Sequence, residues 1–428
     1  PDKRWDFFPV ISGGYRISEE KFFKDHVPFI SNLKFRGSYG IVGGNVGNPF
    51  QYLEGFTTTG GGSYEFTNGT STTGAASPAV VNKMLTWSRA KITDIGFDIT
   101  LLNNQLDFTF DVYQRDRNGL LATKAGTLPN TFGGSLPEEN LNSDRVQGFD
   151  FMIAYKNFNK EFKYGASANF NFNRTMNRYV ERGPFTNSMD KWRNGQQNRY
   201  NDISWGYVYE GQFQSAEEIA QSPYQSDVLL PGSYKYKDMN GDGVLGGEDM
   251  MPIFYNEEPK MNFGLTLNAA YKGFDLNILL QGAAKYTVFI SGEYGTVLAN
   301  GVNTPAYFFD RWHQADPYDK SSAWIPGTFP AARFREDAGT ESLESDRWRR
   351  DASYVRIKSI ELGYTVKANA LTKLGIKSLR LYTNGYNLVT FTDKFLKAFD
   401  PEKVTGAFGS GYGYPITKIF NFGANINF

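Results

Sequence analysis

Apolar and polar residues alternate with a period of two, in segments of about ten residues, along nearly the whole chain. In "NLKFRGSYGIVG", Leu33, Phe35, Tyr39 and Ile41 share one face while Lys34, Arg36 and Ser38 take the other. In "TDIGFDITL", Ile95, Phe97, Ile99 and Leu101 oppose Asp94, Asp98 and Thr100. After "NNQ", Leu106, Phe108, Phe110 and Val112 oppose Asp107, Thr109 and Asp111, so the two runs predict a hairpin. The same rule gives "GFDFMIAY", "FKYGASANFNFN" and a further hairpin in "NFGLTLNAAYKGFDLNILLQG". It then gives "SYVRIKSIELGYTV", "SLRLYTNGYNLVTF" and the terminal "KIFNFGANINF". With "RWDFFPVISGGYRI" at the start, which puts Trp5 in a strand, about eleven strands are predicted. Side chains leave a pleated strand on alternate sides, so this chain is committed to sheet with two chemically different faces.

A soluble sandwich also alternates, and the connections separate the two cases. The links run short and long in turn: 18–31 short, 43–87 long, 102–105 short, 118–145 long, 157–161 short and 177–261 long. "YKGF" is then short, 288–352 long, 367–376 short and 392–415 long. Short turns on one side and long loops on the other predict an antiparallel transmembrane β-barrel with long extracellular loops. An odd strand count would set first and last strands parallel, so the chain reads as part of a larger barrel, with more strands expected before Pro1. No run reaches the roughly 20 apolar residues of a spanning helix. The 36 Phe, 26 Tyr and 45 Gly suit strands joined by tight turns.

Charge excludes other classes. Lys plus Arg and Asp plus Glu are both 45, which gives no basic footprint for nucleic acid. With no Cys there is no disulfide frame, thiolate metal site or cysteine nucleophile. The two His, His26 in a short turn and His313 in a long loop, fall on opposite sides of the membrane in this layout, so no enzyme is expected. The glycine clusters at 60–62 and 409–413 do not stand between a strand and a helix, as a phosphate-cradling loop would.

One stretch has metal-ligand spacing. In "KDMNGDGVLGGEDM", Asp238, Asn240 and Asp242 occupy loop positions one, three and five, Gly243 position six, Val244 position seven and Asp249 position twelve. The pattern predicts structural calcium held by Asp238, Asn240, Asp242, the Val244 carbonyl and Asp249, within a loop segment spanning 231–260. Asp249 is shorter than the usual Glu, and an Asn-Gly and Asp-Gly turn with solvated carboxylates is the alternative. Flanking Pro and Gly rule out a pair of bracketing helices. Elsewhere in the long loops, Trp205, Tyr207, Tyr209, Trp312 and Trp324 are candidates for substrate or lid contact. The competing reading is that such loops fold over the barrel mouth and use their aromatics in a small core of their own.

Several segments, in order, resemble the C-terminal half of a SusC/RagA-like TonB-dependent outer-membrane transporter. They include "RWDFFPVISGGYRISEEKFF", "ITDIGFDITLLNNQLDFTFDVYQR", "ISWGYVYEGQFQSAEEI", "YKYKDMNGDGVLGGEDM" and "LRLYTNGYNLVTFT", and they run across nearly all of 1–428. The resemblance implies a barrel of roughly 22 strands with a plugged lumen, of which this chain supplies about the last 11. It implies a plug domain and a TonB-contacting segment, neither of them in this chain and both expected ahead of Pro1. It also implies a SusD-like surface lipoprotein as lid, outer-membrane lipid around the wall, and import of oligosaccharides or oligopeptides in a Gram-negative bacterium. The acidic loop at Asp238, Asn240, Asp242 and Asp249 matches the family's acidic loop before a barrel strand. The residues alone leave two alternatives: a passive porin-like channel, and a secreted, calcium-stiffened β-rich binding or adhesion protein.

Overall fold

A strand whose apolar residues recur every second position can only bury them together if its neighbours keep the same phase. The computed structural model meets that condition along the main sheet. It describes residues 3–44, 47–56, 63–75, 80–125, 136–298, 303–333, 339–366, 375–403, 405–406, 409–410 and 413–428. The glycines at 60–62 and residues 411–412 of the second glycine cluster lie outside these.

The strands are β1 (Val10–Arg16), β2 (Ile30–Gly44), β3 (Ser88–Leu101), β4 (Leu106–Thr123), β5 (Glu138–Asn157) and β6 (Lys163–Tyr179). They continue with β7 (Met261–Tyr271), β8 (Phe274–Ala284), β9 (Tyr354–Val366), β10 (Ser378–Phe391) and β11 (Ile419–Asn427). Each pairs with the next along the chain, the order an up-and-down sheet requires. Two compact units share them: Pro1–Phe151 with Asn173–Asn201, and Met152–Phe172 with Asp202–Phe428.

In the first unit, Phe35 faces Phe97 across β2 and β3, and Phe97 faces Phe110 across β3 and β4, with ring centroids 6.3 and 5.6 Å apart. The other face is polar and paired: Arg36 reaches Asp98 at 3.1 Å and Asp111 at 2.7 Å. In the second unit, Leu265 faces Leu280 and Ala168, and Leu267 faces Ile278. Its polar face holds Arg380 between Asp275 and Glu361, the latter at 2.7 Å, with Asn384 donating to Glu361 at 3.2 Å. Apolar pairs on one face and opposite charges on the other each stabilise the register, by about 0.2–1 kcal/mol per cross-strand pair.

Two boundaries differ from the sequence reading. Trp5 is not in a strand: it is 88% exposed, and β1 starts at Val10. Pro9 has no N–H to give a ladder, and Asp6 turns the chain just before it by accepting from the Phe7 amide at 2.8 Å and pairing with Arg89. The second difference is that β4 and β5 run 18 and 20 residues, past the alternating segments. There side-chain pairs take over from apolar contacts: Arg117 with Asp144, Arg145 with Asp116, and Asn140 donating to the Gly119 carbonyl at 2.8 Å.

The described parts of the links at 177–261 and 288–352 contain short paired strands. Ile203–Gly206 pairs with Met251–Tyr255, Tyr209–Gln212 with Tyr234–Tyr236, Thr287–Phe289 with Arg349–Asp351, and His313–Gln314 with Trp324–Ile325. The short links are tight, and β7 turns into β8 through Lys272 and Gly273, at φ 47° and 93°. Two consecutive positive φ values make the type I′ turn whose twist suits a hairpin. Gly273→Val should therefore cost about 1–2 kcal/mol of barrel stability, read as an earlier midpoint when the complete protein is unfolded from vesicles with urea.

Candidate functional site

The core of the second unit lies in its long loops. Tyr234, Tyr236, Ile290, Phe308, Trp348 and Leu396 are buried there. Several of its polar groups are tied internally. The Tyr236 hydroxyl donates to the Thr340 carbonyl at 3.2 Å, the Thr340 hydroxyl donates to the Tyr234 carbonyl at 2.6 Å, and the Trp348 indole donates to the Glu341 carbonyl at 3.2 Å. Burial pushes both phenols, Tyr234 and Tyr236, well up. Burial also raises the Glu341 carboxyl, against the opposing charge of Arg333, which donates to it at 2.8 Å. Arg333 binds the Ser233 hydroxyl at 2.6 Å and the Val228 carbonyl as well, so one guanidinium joins three loop segments. Arg356, fully buried at the start of β9, holds Glu402 at 2.9 Å, Asp400, and the Thr390 hydroxyl at 2.9 Å.

This core claims part of the aromatic set singled out from the sequence. Trp312 is 3% exposed, over Gly232, where a Cβ would sit 2.3 Å from its ring. That position leaves it buried, away from the surface a substrate or lid would touch. Tyr207 and Tyr209 are half-buried, with their rings 5.7 Å from Tyr236 and 5.4 Å from Tyr234. Trp205 and Trp324 are half-buried in their short strands, opposite Pro252 and Gln314. Two loop aromatics are far more exposed: Tyr318 at 96% and Phe309 at 82%.

The acidic loop packs against this region. The Asp238 carboxylate accepts from the Gly241 amide at 2.7 Å and the Gly243 amide at 2.8 Å. Gly243 turns at φ 84°, as its place in the motif predicts. Chiefly the Gly243 amide holds the Asp238 carboxyl below its ordinary range. Asp242 accepts from the Val244 amide at 2.8 Å and from the Asn240 side chain at 2.9 Å. Asp249 is fully buried and serves as a backbone staple: it accepts from Met239 at 2.8 Å, Asn240 at 3.3 Å and Gly246 at 2.7 Å. Among the described residues no three His, Cys, Asp or Glu side chains gather to hold a metal ion.

No family model matches the chain. TonB-dependent receptor P3 of Formosa agariphila is 27% identical over 453 residues, covering 100% of this chain and 42% of the relative. The TonB-dependent receptor SusC of Bacteroides thetaiotaomicron is 26% identical, covering 100% and 40%. The solved RagAB peptide transporter superposes with a TM-score of 0.72 at 20% identity, over 99% of this chain and 43% of that one.

The chain resembles TonB-dependent receptors, SusC among them.

It matches a C-terminal part of these receptors and spans about two fifths of their length. The alternating sheet is thus a wall of an outer-membrane β-barrel, as the loop pattern predicts, and its long links are the extracellular loops. In that frame the loop core stands outside the membrane. Asp249→Ala leaves three amides unpartnered at a buried position. It should cost about 3 kcal/mol locally and open the 237–250 loop to limited proteolysis, with barrel strands still protected.

Proposed function

We propose that this chain forms wall and surface loops of a TonB-dependent importer of oligosaccharides or oligopeptides, working with a SusD-like lipoprotein that closes over the loops. The observation that carries this reading is the match to TonB-dependent receptors over the whole chain, SusC among them, and the extracellular loops pack around a core of buried aromatics. A surface ordered by such a core suits docking of a lid, since surfaces held in one shape lose little entropy on binding. Uptake of labelled oligosaccharide and oligopeptide panels by cells carrying the complete protein should vanish when the TonB system is deleted. Retained uptake would point to the passive channel instead. Purification of the complete protein from outer membrane should bring a lipoprotein with it.

We propose also that calcium binds the acidic loop through the side chains of Asp238, Asn240 and Asp242 and the carbonyl of Val244. The motif spacing supports this: oxygen-bearing side chains stand at positions one, three and five, with Gly243 turning at position six. Asp249, already bound to three amides, closes the loop without being needed as a ligand. Calorimetric titration of the complete protein in detergent should show one calcium site, lost in Asp238→Asn/Asp242→Asn. Absence of heat in the parent protein would leave the loop held by its side-chain-to-amide turns alone.

A further inference from the structure

The outward face of the first unit changes character in steps along its strands. Ile95 and Val112 face each other across β3 and β4. One step toward the loops, Thr93 faces Gln114, and Gln147 of β5 donates to Gln114 at 2.7 Å. One step further, Lys91 faces Asp116, which Arg145 of β5 grips with both a side-chain Nε and a terminal nitrogen, the latter at 3.1 Å. Arg178 is exposed near the same end of β6, and its charge is among those that act on Asp116. Lys91 and Asp116 share the phase of Phe97 and Phe110, and Arg145 shares that of Phe149, whose ring lies 6.1 Å from Phe110, so they point to the side of the apolar band. Arg145 thus pairs with Asp116, Lys91 stands opposite it in register, and Arg178 adds a third cation at this end of the strands.

Height places them. Lys91 is ten residues up β3 from Leu101, at the short-turn end. That is about 33 Å of strand and, at a tilt of about 40°, about 25 Å of height, the thickness of the apolar band of such barrels. Asp116 is ten residues up β4 from Leu106. At the opposite ends of these two strands the same face finishes in Leu101 and Leu106, so on them the charge is confined to one side. A cationic patch at the outer interface, on the lipid-facing side, meets headgroups rather than cargo or a plug.

We propose that Lys91, Arg145 and Arg178 bind the phosphate groups of an outer-leaflet lipid headgroup. Three cations beside one paired carboxylate carry a net positive charge, and guanidinium and ammonium donors match phosphate oxygens. The bidentate Arg145–Asp116 pair acts as the fixed base of the site, and Lys91 and Arg178 are the arms. The proposal rests on the outer-membrane placement and is independent of which cargo is imported.

The test uses the complete protein in phosphatidylcholine nanodiscs, with lipid A and enzymatically dephosphorylated lipid A as probes, read by native mass spectrometry. Lipid A should bind well above its dephosphorylated form. Lys91→Gln/Arg178→Gln, which keeps the Arg145–Asp116 pair, should weaken lipid A binding on the order of thirtyfold while heat-modifiable gel mobility stays that of the parent. Equal binding of the two probes would overturn the proposal, as would a folded variant that binds lipid A like the parent. Displacement of lipid A by millimolar inorganic phosphate would also overturn it, by showing a free-anion site.

Discussion

Everything in this chain depends on the antiparallel hydrogen-bond ladder between consecutive strands. Hydrocarbon offers no partner to a backbone amide, so each membrane-spanning segment must find its donors and acceptors on its neighbours. Once consecutive strands pair, the register decides the rest. A slip of one residue would carry Phe97 and Phe110 to the side of Asp98 and Asp111. The charges on the inward face then act as register locks. Arg36 can reach both Asp98 and Asp111 only in the observed phase, and Arg380 spans Asp275 and Glu361 in the same manner.

Because the ladder already satisfies the wall, the extracellular loops are free to build a second kind of order. They do so with side chains. Arg333 joins Val228, Ser233 and Glu341, while Arg356 joins a wall strand to the 392–403 segment through Asp400 and Glu402. Buried ion pairs of this kind add little net stability over apolar packing, but leaving one partner behind costs about 3–5 kcal/mol. Their effect is to make one loop arrangement much better than its rivals. That property suits the proposed docking of a lid.

The wall was legible in the sequence because period two is a local signal: any four alternating residues announce both strand and face. The strand count, the hairpins at 102–105 and 272–273 and the side of each aromatic follow from it. The extended ends of β4 and β5 were not legible, since Arg117 with Asp144 and Arg145 with Asp116 look like loop charges until the pairing is known. The start of β1 was misplaced for want of weight on Pro9. In the loops, the aromatic content pointed to either a contact surface or a core. The choice for Trp312 turned on Gly232, 80 residues earlier, whose missing side chain leaves room for the indole. Arg333–Glu341 and Arg356–Asp400 likewise join positions that share no local pattern.

Period two also outlasts the membrane, and this explains why one face can carry two functions. On β3, phase is unbroken from Leu101 through Phe97 to Lys91, so the backbone makes no distinction between lipid-facing and headgroup-facing positions. Only the residue type changes, from Phe and Ile to Thr and Gln and then to Lys and Arg. The wall could have ended at the interface, as about ten residues per strand suffice to cross. Instead β4 and β5 continue for several residues, held by ion pairs rather than by apolar contacts. A strand held this way stays rigid in water, and it presents its charges at a height set by the ladder below. The same hydrogen bonds that close the barrel wall to lipid therefore also fix where its surface electrostatics begin.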